Sequence, residues 1–354
     1  MEYSNKLLLK GNEAVVFGSL LAGCDCFFGY PITPASEIAQ TAAEYFPKLG
    51  RTFLQAECET ASINMVMGAS AAGRRVMTAS SGLGISLKQE GVSYIATMEL
   101  PCVIVDVMRG GPGLGNIAPE QSDYNQIVKG GGHGGYKVMV LAPSSAQEMC
   151  DFARLAFDLA DQYRTPVYIL TDGVVGQMLE SVTLPEPLGR RPSPDWALDF
   201  KVNPRTNYLT SIYMEANDLE NLNRKLNKKY AEMEEKEARA EEYRTEDAEI
   251  VISGFGICGR VIRTAVDRLR AEGIKAGMLR PITLFPFPRK QLKSHLGTAK
   301  HFVSVEMNNG QMIDDIRLAI ECSRPVSLIN RMGGNLPTVE LVVSHCRKLA
   351  EGGK

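Results

Sequence analysis

Pro101-Cys102-Val103-Ile104-Val105-Asp106-Val107-Met108 is an almost continuous apolar run. A strand with one wet face would alternate polar and apolar residues. A continuous run suits a strand covered on both faces, as in parallel sheets flanked by helices. Similar short runs lie on either side of it, at Cys26–Pro31, Arg51–Ala56, Arg74–Ser81, Lys137–Ser145 and Pro166–Gly173. Helical stretches separate them: Gly11–Cys24, with Asn12 as the expected N-cap, Ser36–Gly50, Glu59–Gly73 and Gln147–Arg164. The Glu59–Gly73 stretch is small and apolar all round, which predicts a helix buried on most sides. After Ser81 a Gly-rich turn is expected. The alternation of strand and helix predicts an α/β fold, a doubly wound parallel sheet.

Beyond that sheet the chain changes character. Leu184–Trp196 is rich in proline and reads as a surface linker. Glu215–Arg244 is highly charged, with Leu219, Leu222, Leu226, Tyr230 and Met233 forming one narrow apolar seam. That pattern predicts a solvated helix lying on its own domain rather than a free coiled coil. A second, smaller α/β unit begins near Ala248. Its strands are expected at 248–256, 274–281, 301–308 and 325–330, with a helix over 257–273 and a terminal helix over 344–350. The expected division is 1–185, 186–246 (linker and charged helical arm) and 247–354.

The 354 residues are 44% hydrophobic and 23% charged, enough apolar material for real cores, so a disordered chain is excluded. A formal net charge of -2 gives no electrostatic footprint for nucleic acid or an anionic membrane. No window approaches the roughly 20 apolar residues of a membrane helix. The apolar run near the N-terminus is too short for a secretory signal, so a cytoplasmic protein is expected. The 8 cysteines are scattered, without C-x-x-C, and Cys24-Asp25-Cys26 is too tight for usual zinc or iron–sulfur spacing. The chain is not expected to hold a metal or cluster by itself.

Three stretches carry candidate chemistry, each just after a strand, where open parallel sheets bind ligands. In Gly29-Tyr30-Pro31-Ile32-Thr33-Pro34-Ala35-Ser36-Glu37, two prolines stiffen a turn and hold the Thr33 hydroxyl near a helix N-terminus. Thr33 or Ser36 serving only as a helix cap is an equally simple use of those residues. In Gln55-Ala56-Glu57-Cys58-Glu59-Thr60-Ala61, two carboxylates open an apolar helix. A buried carboxylate is costly without a partner, and a cofactor ring nitrogen would supply one; a first-turn acid complementing the dipole is the plainer alternative. In Met108-Arg109-Gly110-Gly111-Pro112-Gly113-Leu114-Gly115-Asn116, an arginine among glycines suits bidentate capture of a carboxylate or stands simply on a surface loop. This loop lacks the Lys-Ser/Thr of a P-loop and misses the G-x-G-x-x-G spacing. His133, inside Gly130–Gly135, is expected to be a solvated loop histidine. Thr171-Asp172-Gly173 contains an Asp-Gly pair but no matching Asn segment, and G-x-S-x-G and H-E-x-x-H are absent.

Tyr30-Pro31-Ile32-Thr33-Pro34, the Gln55–Glu59 helix start, the Arg109 loop, Glu120-Gln121-Ser122-Asp123, Arg280–Pro288 and Val305–Met312 occur in an order that resembles the alpha subunits of 2-oxoacid:ferredoxin oxidoreductases. The resemblance covers almost the whole chain. It is nearest to the branched-chain (2-oxoisovalerate, or 3-methyl-2-oxobutanoate) type, with the 2-oxoglutarate type next. It implies that 1–185 is the pyrimidine-binding half of a thiamine diphosphate site and that 247–354 is transketolase C-terminal-like. A beta subunit would bring the diphosphate and magnesium sites. 4Fe-4S clusters would sit on partner subunits, including a ferredoxin-like delta subunit, with a gamma subunit as a further candidate.

The resemblance also implies residue roles. Counting back from Gly68-Ala69, Glu59 rather than Glu57 matches the glutamate that holds N1' of the aminopyrimidine, with Tyr30 and Pro31 beside the cofactor. A low-dielectric site would favour sharing of that proton. Thr33 and Arg109 match positions that hold the substrate carboxylate and neighbouring charge. The implied reaction is oxidative decarboxylation of a 2-oxoacid with coenzyme A to acyl-CoA and carbon dioxide, with the electrons passing to ferredoxin. Two readings remain beside it at this level: a non-catalytic scaffold subunit, and a stand-alone nucleotide-binding α/β protein using Gly111–Gly115.

Overall fold

The computed structural model describes residues 6–199 and 207–352. The first half runs β1 (Lys6–Lys10), α1 (Gly11–Leu21), β2 (Cys26–Gly29), α2 (Ser36–Lys48), β3 (Thr52–Gln55), α3 (Glu59–Ala71), β4 (Val76–Ser80), α4 (Leu83–Thr97), β5 (Cys102–Met108) and α5 (Tyr124–Val128). It continues with β6 (Met139–Leu141), α6 (Ala146–Tyr163), β7 (Pro166–Asp172), α7 (Gly173–Gln177), β8 (Leu179–Thr183) and α8 (Ala216–Lys236). Then follow β9 (Ala240–Tyr243), β10 (Ile250–Ser253), α9 (Ile257–Ala271), β11 (Ala276–Pro281), β12 (Thr283–Phe285), α10 (Arg289–Ser294), β13 (His301–Glu306), α11 (Ile313–Ala319), β14 (Val326–Asn330) and α12 (Val339–Gly352).

Strand β5 occupies the middle of a seven-stranded sheet of order β12-β6-β7-β5-β4-β2-β3. Every residue from Cys102 to Met108 is buried, as the continuous apolar run requires. β2 to β7 pair in parallel, and only β12 is antiparallel, along β6 at one edge. This is the predicted α/β architecture. Helices cover both faces, so the carboxyl ends of β2, β3, β4, β5 and β7 open on one rim, the rim that holds the candidate residues. A second, five-stranded sheet has the order β14-β13-β10-β11-β9, with β9 antiparallel and the rest parallel. β1 and β8 form a separate antiparallel pair.

Helix α8 lies on the first core through Leu226, Tyr230 and Met233 of the charged seam. Lys229 pairs with Glu99 at 3.0 Å and donates to the Arg164 carbonyl at 3.1 Å, which ties the helix to the α4–β5 turn and the end of α6.

Three local expectations differ from the structure. Asn12 is not the cap of α1, which begins at Gly11 behind Lys10. The Lys10 N–H is taken by the Glu13 carboxylate at 2.7 Å, and the Asn12 amide points inward instead, to the Pro34 carbonyl at 2.8 Å. Residues after Ser81 do not form a mere turn: Leu83–Thr97 is the helix α4. Its buried side mixes Ile85, Val92, Ile95 and Ala96 with Gly84, Lys88, Gln89 and Gly91, so the apolar stripe by which a helix is recognised in sequence is interrupted by glycine and polar residues. The last helix begins at Val339, five residues before Ser344.

Candidate active site at the carboxyl rim of the sheet

Glu59 begins α3 behind Cys58, whose thiol accepts the Ala61 N–H at 3.4 Å as the N-cap. The Glu59 side chain is only 6% exposed, whereas Glu57 is exposed. Its carboxylate lies against the start of α4: a Cβ built on Gly84 would stand 2.7 Å from Glu59 Oε1 and 2.1 Å from Ser80 Oγ. Among the described residues the Ser80 and Ser81 hydroxyls are buried without a hydrogen-bond partner, and no protein donor meets the Glu59 carboxylate. The Glu59 lone pairs are therefore left open to a donor from outside the chain. Lys88 of α4 is fully buried nearby, donating to Ser62 Oγ and, at 3.5 Å, to the Glu59 carbonyl.

The Tyr30–Ser36 loop is nailed down from behind. The Pro34 carbonyl accepts from Asn12 Nδ2 at 2.8 Å and from Gln177 Nε2 at 3.1 Å. Glu37 takes the same two amides at 3.1 and 2.9 Å and pairs with Lys10 at 3.1 Å. α2 has no side-chain cap at all, so neither Thr33 nor Ser36 is spent on capping. Tyr30, Pro31 and Thr33 are exposed on the rim.

Arg109 follows β5 and crosses to this loop, where Nη1 donates to the Thr33 carbonyl at 3.0 Å. The guanidinium passes over Gly82, within 3.5 Å of a Cβ built there. Its remaining N–H groups face a cleft of about 510 Å³ lined by Gly82, Leu83, Ser86, Arg109–Gly113, Glu120, Ser122, Asp123, Gln126, Asn309, Gln311 and Met332. The glycine loop is shaped by the buried Glu120, whose carboxylate accepts the Gly111 N–H at 2.8 Å and the Gly333 N–H at 2.6 Å. Gly115 requires its positive φ of 56°, and a Cβ there would stand 1.8 Å from the Gly110 carbonyl oxygen.

Behind Arg109 lies an acidic pair. Asp106 on β5 is 0% exposed, and its carboxyl meets that of Asp123. Burial, and then the neighbouring Asp123, push its carboxyl well above the ordinary range. Asp123 is pushed up to about 6 by burial, against the hydrogen bonds it receives. Two adjacent buried acids cannot both ionise, so the pair holds a proton between them.

The remaining motifs stitch the two sheets together. Gln121 Nε2 donates to Asp172 Oδ2 at 3.2 Å and to the Phe255 carbonyl at 3.0 Å, and its Oε1 accepts the Met307 N–H at 3.2 Å. Asp172 also accepts the Val174, Val175 and Ile257 N–H groups, at 3.1, 3.0 and 2.9 Å. It is saturated with donors and serves as a helix cap and domain clamp. Glu306 accepts three consecutive N–H groups, Gln311 to Ile313, at 2.9, 2.8 and 2.9 Å. That turn aims Asn309 and Gln311 into the cleft. His133 is exposed on its glycine loop.

Glu59, Thr33 and Arg109 therefore share one rim, with Tyr30 and Pro31 at its edge. Lys88, Asp106 and Met332 were not singled out in the sequence, and Asp123, Asn309 and Gln311 stood there only inside motifs of the resemblance, with no role given. A lone acid in an otherwise apolar strand was a usable signal for Asp106. Lys88 gave none, because its helix was not recognised.

Residues 18–242 match the family described as pyruvate flavodoxin/ferredoxin oxidoreductase, thiamine diphosphate-binding, and residues 248–342 match pyruvate:ferredoxin oxidoreductase core domain II. The chain is 58% identical over 344 residues to the ketoisovalerate oxidoreductase subunit VorB of Methanothermobacter thermautotrophicus, covering 97% of each chain. It is 40% identical over 322 residues to the 2-oxoglutarate synthase subunit KorA of Archaeoglobus fulgidus, covering 89% of this chain and 92% of that one. The solved 2-oxoglutarate:ferredoxin oxidoreductase of Magnetococcus marinus, with 2-oxoglutarate, coenzyme A and succinyl-CoA bound, superposes with a TM-score of 0.88 at 30% identity, over 98% of this chain and 66% of that chain. A split-gene transketolase shares the fold at a TM-score of 0.60 and 16% identity.

Proposed function

The chain belongs to the pyruvate flavodoxin/ferredoxin oxidoreductase family, and from that premise we propose that it is the alpha subunit of a 2-oxoacid:ferredoxin oxidoreductase acting on 2-oxoisovalerate. The reaction joins the 2-oxoacid and coenzyme A, releases carbon dioxide and the acyl thioester, and delivers two electrons to ferredoxin. The relatives at 58% and 57% identity, both named ketoisovalerate oxidoreductase subunits, support the substrate. Leu83 and Met332 on the cleft wall agree with an aliphatic side chain.

The observation that carries the site is the buried Glu59 carboxylate, without a protein donor and packed on a glycine. Those features fit the aminopyrimidine of thiamine diphosphate: an acceptor awaits a ring N–H, and the missing Cβ at Gly84 leaves the carboxylate its place. When bound, that cofactor supplies the electron sink for decarboxylation. Glu59 holds and returns the proton at the ring nitrogen, with Tyr30 and Pro31 bordering the ring. Arg109, fixed on the Thr33 carbonyl, offers its free N–H groups to the substrate carboxylate, and the Thr33 hydroxyl stands beside it. In this assignment 1–185 is the pyrimidine domain, 186–246 the linker and arm, and 247–354 the assembly domain. A beta subunit supplies the diphosphate and magnesium sites. 4Fe-4S clusters reside on partner subunits, among them a ferredoxin-like delta subunit, and the complex works in the cytoplasm.

The test is to assemble this chain with its partner subunits anaerobically, add thiamine diphosphate, magnesium and coenzyme A, and follow ferredoxin reduction with several 2-oxoacids. The expected outcome is preference for 2-oxoisovalerate over 2-oxoglutarate. Preference for 2-oxoglutarate would transfer the assignment to that type. Glu59→Gln should lose decarboxylation with assembly intact; wild-type turnover by that variant would leave a scaffold role.

A further inference from the structure

Gly84, Lys88 and Gly91 stand at i, i+4 and i+7 of α4 and form one stripe facing α3. The two glycines mark where the helices come closest. Gly84 abuts Glu59, and a Cβ on Gly91 would stand 2.6 Å from Ile63 Cγ2. Lys88 lies between them, 0% exposed. Its ammonium donates to Ser62 Oγ and to the Glu59 carbonyl, and Ser62 Oγ itself donates to that carbonyl at 2.9 Å. A leucine or methionine would fill such a slot at lower cost, because a buried ammonium loses its hydration. Burial pulls the Lys88 pKa down to about 8, opposed by the charges of Glu59 and Cys58, both at the start of α3. At neutral pH the group still carries its proton.

We propose that Lys88 is a positioning residue for Glu59: by holding the Glu59 carbonyl and Ser62 Oγ it ties down the first turn of α3 and so aims the Glu59 carboxylate at the cofactor ring. The inference rests on the assignment of Glu59 to the ring nitrogen of thiamine diphosphate.

The test uses the assembled complex with magnesium and measures thiamine diphosphate affinity by calorimetry. Lys88→Met and Lys88→Gln remove the charge, and the glutamine keeps a donor for Ser62, so one variant remains should the other fail to assemble. At neutral pH Lys88→Met is expected to bind the cofactor roughly tenfold more weakly, and Lys88→Gln, which keeps a donor, to recover part of that loss. Lys88→Arg, which keeps donors for both the Glu59 carbonyl and Ser62, should bind the cofactor more tightly than Lys88→Met. Assembled Lys88→Met with wild-type cofactor affinity, or an arginine that rescues no better than methionine, overturns the proposal. Glu59→Gln is the control: wild-type affinity in that variant would remove the Glu59 assignment itself, a result distinct from failure at Lys88 alone.

Discussion

Glu59 and Gly84 occupy each other's space: the carboxylate Oε1 sits 2.7 Å from where a Cβ on residue 84 would be. One comes from the first turn of α3 and the other from the first turn of α4, the helices before and after β4 in the chain. The glycine is thus a shape requirement of the carboxylate and has no special backbone angle to explain it.

Gly84→Ala should therefore hurt function more than folding. The new methyl must displace Glu59, Ser80 or both, and overpacking of this kind costs about 1–3 kcal/mol. Moving a catalytic group by about 1 Å can cost on the order of 10²-fold in rate. The expected outcome is an assembled complex with a modestly lowered melting temperature and turnover reduced by roughly that factor. Wild-type turnover would show that the carboxylate has room to spare.

How much of this was legible in the sequence follows from what each element buries. β5 was readable because its apolar side chains leave no doubt about burial, and the strand–helix alternation then fixed a parallel sheet. The rim was readable because ligand-facing loops follow strand ends, and Tyr30–Glu37, Gln55–Ala61 and Met108–Asn116 all follow strands. α4 was not readable: Gly84, Lys88 and Gly91 lie among its buried residues beside Ile85, Val92, Ile95 and Ala96, and they break the apolar period until α3 is seen to cover them. The pairing of Asp106 with Asp123 was also hidden, because residues seventeen positions apart meet only through the return of the Arg109 loop. Asn309 and Gln311 reach the cleft because Gln121, Asp172 and Glu306 clamp the second unit onto the rim, and that docking has no periodicity to betray it.

Arg109 supports a prediction about substrate capture. Its Nη1 is committed to the Thr33 carbonyl at 3.0 Å, which orients the plane of the guanidinium and leaves other donors toward the cleft. Removing a charge-assisted bidentate contact costs on the order of 1.5–3 kcal/mol, or about 10- to 150-fold in affinity. Arg109→Ala should raise KM for the 2-oxoacid by about that range while thiamine diphosphate affinity changes little. Arg109→Lys should recover only part of the loss, because a lysine cannot both hold the Thr33 carbonyl and present a planar fork. Steady-state kinetics with the assembled complex checks both, and an unchanged KM would remove Arg109 from substrate binding.

The Asp106–Asp123 pair predicts a pH-dependent stability with a definite sign. Asp123 titrates at about 6 in the folded chain, raised chiefly by burial, and Asp106 is displaced upward as well. In the unfolded chain both return to the ordinary aspartate value of about 4. Between those limits the folded state binds more protons than the unfolded one, so the pair's favourable contribution is present below about pH 4 and is lost as pH rises through about 6. Asp106→Asn removes the second charge while keeping the shape and a donor for Asp123. It should melt close to wild type near pH 4 and gain stability relative to wild type by pH 7, on the order of 1–2 kcal/mol given that Asp123 is partly open to the cleft. Thermal unfolding of the two chains across that pH range is the measurement. A difference that stays flat, or that shrinks as pH rises, would mean that the two carboxyls do not share a proton.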